Sequence, residues 1–353
     1  MDKQIRKESC NKLPIMTKEK KEMSLIRLVI GWCIAGVIAV IISSLIVLIY
    51  NYSGMHIANK TGSTDYKWSP GQYKANATEG INYMQMDSNG FNNVLSDTDG
   101  IDLLLMGGSH MEAIQIKTEL NTGSLLNEMI PEMYTYNIGM SGHQFLNCLN
   151  NLEAALAEFV PSQYVIIQTG DLSMALNDIV AVKDHALGDI PSYDSGIVYY
   201  MQKIPAIKVL YKQLSDKLSQ DIKSNKATTG GKSESDRSSV SLVLRDVLSE
   251  KKALCDQNKC GLIIAYTPPV IITASGKMER NDDLEWVNTV KQCCEDSGIV
   301  FLDSFDDFEK EYINGYVVPY GFDNSKIATG HLNRDGHRIL ASVIAEYIEG
   351  ESR

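Results

Sequence analysis

Five short runs of mostly apolar residues, Ile101–Met106, Met133–Ile138, Tyr164–Gln168, Gly261–Tyr266 and Ile299–Leu302, recur along the chain with helical stretches between them. A strand that is apolar on both faces has no side to offer to water, so it belongs in a parallel sheet covered by helices above and below. The intervening segments Thr118–Met129, Gln144–Phe159, Leu242–Asp256 and 282–296 carry helical periodicity, and a last helix opens near His331. Alternating strands and helices predict an α/β fold: a three-layer α/β/α, flavodoxin-like domain with a mostly parallel sheet and right-handed crossovers.

That domain does not begin at the N-terminus. Residues 28–50 carry no charge and are rich in Ile, Val, Leu and Ala. At ~1.5 Å per residue such a run crosses the ~30 Å hydrocarbon layer. Some two dozen mostly polar residues precede it, which favours a retained single-pass transmembrane helix over a cleaved signal peptide. Lys3, Arg6, Lys7, Lys12, Lys18, Lys20, Lys21 and Arg27 precede the span, and only Lys60 follows closely. The positive-inside rule then predicts a cytoplasmic tail at 1–27 and an extracellular C-terminal domain. Residues 51–83, polar and scattered with Gly, Ser, Thr and Asn, read as a juxtamembrane stalk; the domain follows at 84–350.

The net charge of −11 belongs to the outer part, since the tail is basic. An acidic domain is a poor nucleic-acid binder, so no such partner is expected. The alternation is interrupted at about 172–250, where a mainly helical stretch leads into a Lys/Ser/Gly/Asp-rich tract, 219–241, expected to be disordered. Of the cysteines, Cys148, Cys255, Cys260, Cys293 and Cys294 fall in the outer part, an odd number that leaves at least one thiol unpaired. Cys293 and Cys294 share a helical pattern with Leu284, Val287 and Val290, which favours burial over a zinc site. No metal or cofactor is expected.

The strand Ile101–Met106 runs into Gly107-Gly108-Ser109-His110, placing a hydroxyl on a tight turn at the C-terminal edge of the sheet, where open α/β sheets bind ligands. A Cβ at either glycine would crowd that turn. A serine there needs a base, and His331, far along the chain, can supply one because triads are assembled by the fold. His337 reads as structural, Asn333 as a local helix cap, and Asp303 as a strand-end acid.

Together, Gly107-Gly108-Ser109-His110, Asn137–Gly142, the strand end Thr169-Gly170 and His331–His337 resemble the SGNH (GDSL-like) hydrolase superfamily over about residues 84–348. The resemblance implies Ser109 as nucleophile, His331 as general base, and an oxyanion and substrate-binding region at Gly108, Gly142, Thr169 and Gly170. Two positions depart from the pattern. The third block, normally Gly-x-Asn-Asp, reads Thr169-Gly170-Asp171-Leu172, with no asparagine in register. Ala328 stands where the acid is usual; Asp323 is the nearest upstream carboxylate, Asp335 a weaker choice, and a Ser–His dyad held by a backbone carbonyl the other arrangement.

The implied activity is a membrane-anchored serine esterase or O-acyltransferase acting on acyl esters, most simply acetyl, of a cell-envelope glycan. Transfer would call for a multi-span acyltransferase partner, because a single helix cannot carry an acyl donor across the bilayer. A catalytically degenerate glycan- or partner-binding module and a structural envelope-assembly protein are the competing classes.

Overall fold

The computed structural model describes residues 18–50, 57–58, 66–68, 70–71, 73–76, 79–185 and 234–351. Most of the basic tail, much of the expected stalk and residues 186–233 of the insertion lie outside these. Helix α1, Lys18–Tyr50, contains a stretch Leu25–Ile46 of mean hydropathy 2.6, with none of it buried against the protein. It is long and apolar enough to cross a bilayer.

A short antiparallel pair, β1 Ile57–Ala58 with β2 Tyr66–Lys67, leads to a hairpin of β3 Tyr73–Asn76 and β4 Asn82–Gln85. The central sheet is built from β5 Leu103–Met106, β6 Thr135–Asn137, β7 Tyr164–Thr169, β8 Gly261–Tyr266 and β11 Val300–Asp303, in the order β11-β8-β7-β5-β6. Every pairing in it is parallel. A second hairpin, β9 Val270–Ile272 with β10 Met278–Arg280, hangs from the end of β8.

Alternation along the strands sorts the core into two layers. Leu104, Met106, Val165, Ile167, Leu262 and Ile264 face α4 Phe145–Phe159, α6 Glu234–Gln257 and α7 Leu284–Asp296. Leu103, Leu105, Ile166, Ile263 and Ala265 face α3 Thr122–Met129, α8 Phe305–Gly315 and α9 Arg334–Glu351. Two short helices, α2 Ser109–Glu112 and α5 Leu176–Lys183, and a single 3-10 turn at Thr118–Leu120 complete the described elements. The three-layer α/β/α reading is thus the fold observed.

Two boundaries differ from the sequence reading. The stalk was expected to reach residue 83, yet Trp68, Lys74, Asn76 and Asn82 are buried in the domain. The segment looks solvated because it is polar, but its polar groups are paired inside: Lys74 Nζ lies 3.2 Å from Glu112 Oε1 and Asn82 Nδ2 3.1 Å from the Ile114 carbonyl. Within the tract 219–241 expected to be disordered, residues 234–241 are the first turns of α6. Val240 is buried there with Leu244, Val247 and Leu248, and Arg237 bridges Asp283 and Glu285 at 2.9 and 2.6 Å. The apolar residues are few, but their spacing puts them on one helix face. Helix α8 and the β9–β10 hairpin are further elements that periodicity alone did not indicate.

Candidate active site

The site lies where β5 ends. Ser109 is the first residue of α2, and the chain packs so tightly there that a Cβ on Gly108 would stand 2.5 Å from the His143 carbonyl oxygen. His331 arrives from the loop before α9. Asn333 secures that loop: its Oδ1 accepts from the backbone N–H groups of Asp335 and Gly336, both at 3.0 Å, and its Nδ2 donates to the Val318 and Gly321 carbonyls at 2.7 and 3.0 Å. It caps the helix and ties down the preceding loop in one stroke.

These placements put His331 Nε2 2.8 Å from Ser109 Oγ. On the other side of the ring, Nδ1 meets Oε2 of Glu79, which also accepts the His331 backbone N–H at 3.2 Å. A carboxylate against Nδ1 holds the tautomer whose Nε2 is free to accept the serine proton. Ser109, His331 and Glu79 therefore form one hydrogen-bonded relay in the order a nucleophile, base and acid would take, with the histidine and glutamate about 70% shielded from solvent (30% and 27% exposed).

Glu79 replaces both arrangements expected for the acid. Asp323 is exposed and has no described contact with His331. Asp335 lies beside Arg334, 3.5 Å away, and Asp303 accepts from Arg280 at 2.7 Å. Nor does a backbone carbonyl hold the ring. The loop bearing Asp323 acts instead through its neighbour: Asn324 Oδ1 accepts the Gly80 N–H at 2.7 Å, pinning the segment that delivers Glu79. No motif signals Glu79, which lies in a polar stretch 252 positions before the histidine it serves.

Gly142 stands in the loop after β6 with φ +92°, a conformation that favours glycine, and the space beside its Cα is open. Among the described residues, neither its N–H nor that of Ser109 has a protein acceptor, so both are available to a developing oxyanion. Thr169 does not contribute its hydroxyl, which donates to the Asp171 carbonyl at 2.8 Å within the strand-end turn. Gly170 lines a cleft beside the relay, whereas Leu172, two residues on, turns its side chain into the core.

Sequence reasoning also missed Glu112, whose carboxylate is 1% exposed. Its Oε1 accepts from Trp68 Nε1 and from Lys74 Nζ, and the Lys74 ammonium lies 3.1 Å from the Trp68 ring centroid. Its Oε2 accepts the Ser141 hydroxyl and, at 3.1 Å, the Ser141 backbone N–H. One buried carboxylate thus joins the nucleophile helix, the loop carrying Gly142 and the segment leading to Glu79. Four donors converge on it, as a buried charge requires.

Two further histidines pack behind the relay. His337 is buried, with Nδ1 2.8 Å from Thr122 Oγ1, and burial first, then His110 and His331, hold its pKa down to about 3. Its structural role agrees with the sequence reading. The cysteines Cys148, Cys255, Cys260, Cys293 and Cys294 are buried free thiols, and burial raises Cys148 to about 12.

No protein-family model matches the chain, and no curated protein matches it. Among solved structures it is similar to the acetyl xylan esterase AlAXEase, at 15% identity and a TM-score of 0.39, covering 70% of this chain and 100% of that one. A lipolytic protein of the G-D-S-L family from Veillonella parvula is similar at 14% identity and 0.39, covering 70% and 98%. A two-domain esterase active on acetylated mannans overlaps at 12% identity and 0.38, covering 72% of this chain and 50% of its own. The chemistry of the site rests on its side chains rather than on these overlaps.

Proposed function

We propose that the protein is a membrane-anchored serine acyl-ester hydrolase or O-acyltransferase that works through an acyl-Ser109 intermediate on acyl esters of a cell-surface glycan. The observation that carries this reading is the unbroken relay from Ser109 Oγ through His331 to Glu79. Ser109 Oγ attacks the acyl carbonyl as its proton passes to His331 Nε2, and Glu79 stabilises the imidazolium. The N–H groups of Ser109 and Gly142 meet the alkoxide of the tetrahedral intermediate, a stabilisation worth about 3–4 kcal/mol for one donor. His331 then returns the proton to the departing alcohol. Water or a sugar hydroxyl, deprotonated by the same nitrogen, releases the acyl group and restores Ser109.

The cleft beside the relay holds about 100 Å³, well below the ~300 Å³ of ordinary drug-sized pockets, so it takes one edge of a substrate rather than a whole sugar chain. A wider groove of about 840 Å³ runs along β4, and the exposed Tyr73 and Tyr83 rings stack at 5.5 Å on that hairpin. Flat aromatic surface beside polar groups suits a sugar chain. If acyl groups are transferred rather than hydrolysed, a multi-span partner must bring the donor across the membrane.

The test gives the purified domain an activated acetyl ester with and without oligosaccharide. Acetylated sugar identifies a transferase, and free acetate unaffected by acceptor identifies an esterase. A fluorophosphonate adduct on the Ser109 peptide is expected in either case. No turnover and no adduct would leave a binding module, the reading that Leu172 in the asparagine register favours.

A further inference from the structure

His110 follows the nucleophile directly and takes no part in the relay. Its ring lies 5.3 Å from that of His331, centroid to centroid, and its Nδ1 accepts the Leu332 backbone N–H at 3.2 Å. An Nδ1 that accepts cannot carry a proton, so the neutral ring carries its proton on Nε2. Among the described residues that Nε2–H has no protein acceptor. It faces the cleft of about 100 Å³ formed with Gly170, Thr267, Tyr320 and the Ala328-Thr329-Gly330 approach to His331. Burial, and then the neighbouring His331, lower the His110 pKa to about 3, so the ring stays a neutral donor at any working pH.

The position of the cleft identifies what it takes. Its walls include His110, Gly170 and the three residues leading to His331, but not Ser109, His331 or Gly142 themselves. It therefore opens beside the base, where the alcohol of an ester leaves or an acceptor alcohol enters. We propose that this cleft is the subsite for the alcohol portion of the substrate, in which His110 Nε2–H donates a hydrogen bond to a hydroxyl or ring oxygen of a sugar. The proposal rests on the acyl-ester reading of Ser109 and His331, and it adds a substrate-contacting residue that discriminates between alcohols. A donor left without its acceptor penalises an alcohol that offers no oxygen there.

The variants separate this role from simple support of His331. His110→Asn keeps an acceptor near the Nδ1 position for Leu332 but has no donor reaching the cleft. His110→Gln places its amide nitrogen near the Nε2 position. Two esters are compared, 4-nitrophenyl acetate, whose leaving group offers no sugar oxygen, and a methyl glycoside monoacetate. For His110→Asn, kcat/KM should fall on the glycoside by about tenfold or more beyond any fall on the aryl ester, with that difference partly restored in His110→Gln. Equal losses on both esters, or none on the glycoside, overturn the proposal.

A second readout does not need turnover. In ¹⁵N-histidine spectra of the Ser109→Ala domain, His110 should remain an Nε2–H tautomer between pH 4 and 8, and its Hε2 resonance should move downfield on adding the methyl glycoside. A ring that titrates within that range, or an Hε2 signal indifferent to the glycoside, overturns the proposal. If the wild-type domain turns over neither ester, the acyl-ester reading fails by itself, and the glycoside titration still decides whether His110 meets a sugar.

Discussion

Glu79 Oε2 holds both the Nδ1 side of the His331 ring and the backbone N–H of the same residue. The segment between the N-terminal apolar helix and the central sheet therefore completes the relay. Glu79→Gln should lower kcat/KM by about 10³–10⁴, the scale seen when a triad acid loses its charge, with the fold retained. Asp323→Asn should leave the rate within a factor of a few. A domain cut to begin at residue 84 loses Glu79 together with the Trp68 and Lys74 partners of Glu112 and should be inactive, whereas one beginning near residue 54 should turn over. Steady-state kinetics on a single aryl ester decide all three.

Ser109→Ala and His331→Ala should each abolish turnover, and the double variant should be no worse than either, because the two groups act as one unit. Additive losses, measured as log kcat/KM, would argue that the residues contribute independently.

Glu112→Gln replaces an acceptor of four hydrogen bonds with a group that brings donors of its own into the same space. It also leaves the Lys74 ammonium, 3% exposed, without its carboxylate. Removing one partner of such a buried pair costs about 3–5 kcal/mol, to be read from chemical denaturation. At a temperature where the variant is still folded, kcat should also fall with KM little changed, because the Gly142 loop loses its tie through Ser141. Unchanged stability would show that the carboxylate is not buried as described.

His337 supplies a stability prediction with a definite sign. Its folded pKa of about 3 lies below the unfolded value of 6.5, so the unfolded chain binds the extra proton between those limits. Its contribution is present above about pH 6.5 and is lost as pH falls toward 3, at a limiting ~1.4 kcal/mol per pH unit. Tm should therefore drop on acidification from pH 7 to 4.5, and His337→Asn should drop less steeply. Parallel curves for the two proteins would contradict the assignment.

The basic residues before the apolar helix predict a cytoplasmic N-terminus and an extracellular C-terminal domain. Protease added to intact cells should remove a C-terminal tag while an N-terminal tag is protected. The reverse pattern would place the active domain in the cytoplasm and remove the surface glycan from consideration.

Much of the architecture was legible from local pattern. A strand such as Tyr164–Gln168, apolar on both faces, has few places to go except the middle of a helix-covered sheet, and residues 28–50 form a helix long and apolar enough to cross a bilayer. Ser109 and His331 were legible too, because each sits in a short signature at an element's end where backbone geometry is local.

Polar residues between elements carry no period, and this is where the sequence misled. Residues 68–82 read as a solvated stalk and 234–241 as disordered, since composition records polarity but not whether a polar group finds a partner. The sequence by itself determined the sheet, the long apolar N-terminal helix and the two residues that meet as Ser109 and His331, all of which follow from apolar patterning and turn chemistry within a few residues. Only the tertiary structure decided that Glu79 rather than Asp323 serves His331, that Glu112 joins three segments, and that His110 aims its N–H at a cleft. Those are pairings of single polar atoms across 29 to 252 positions, set by where packing leaves a buried donor or charge in need of a partner.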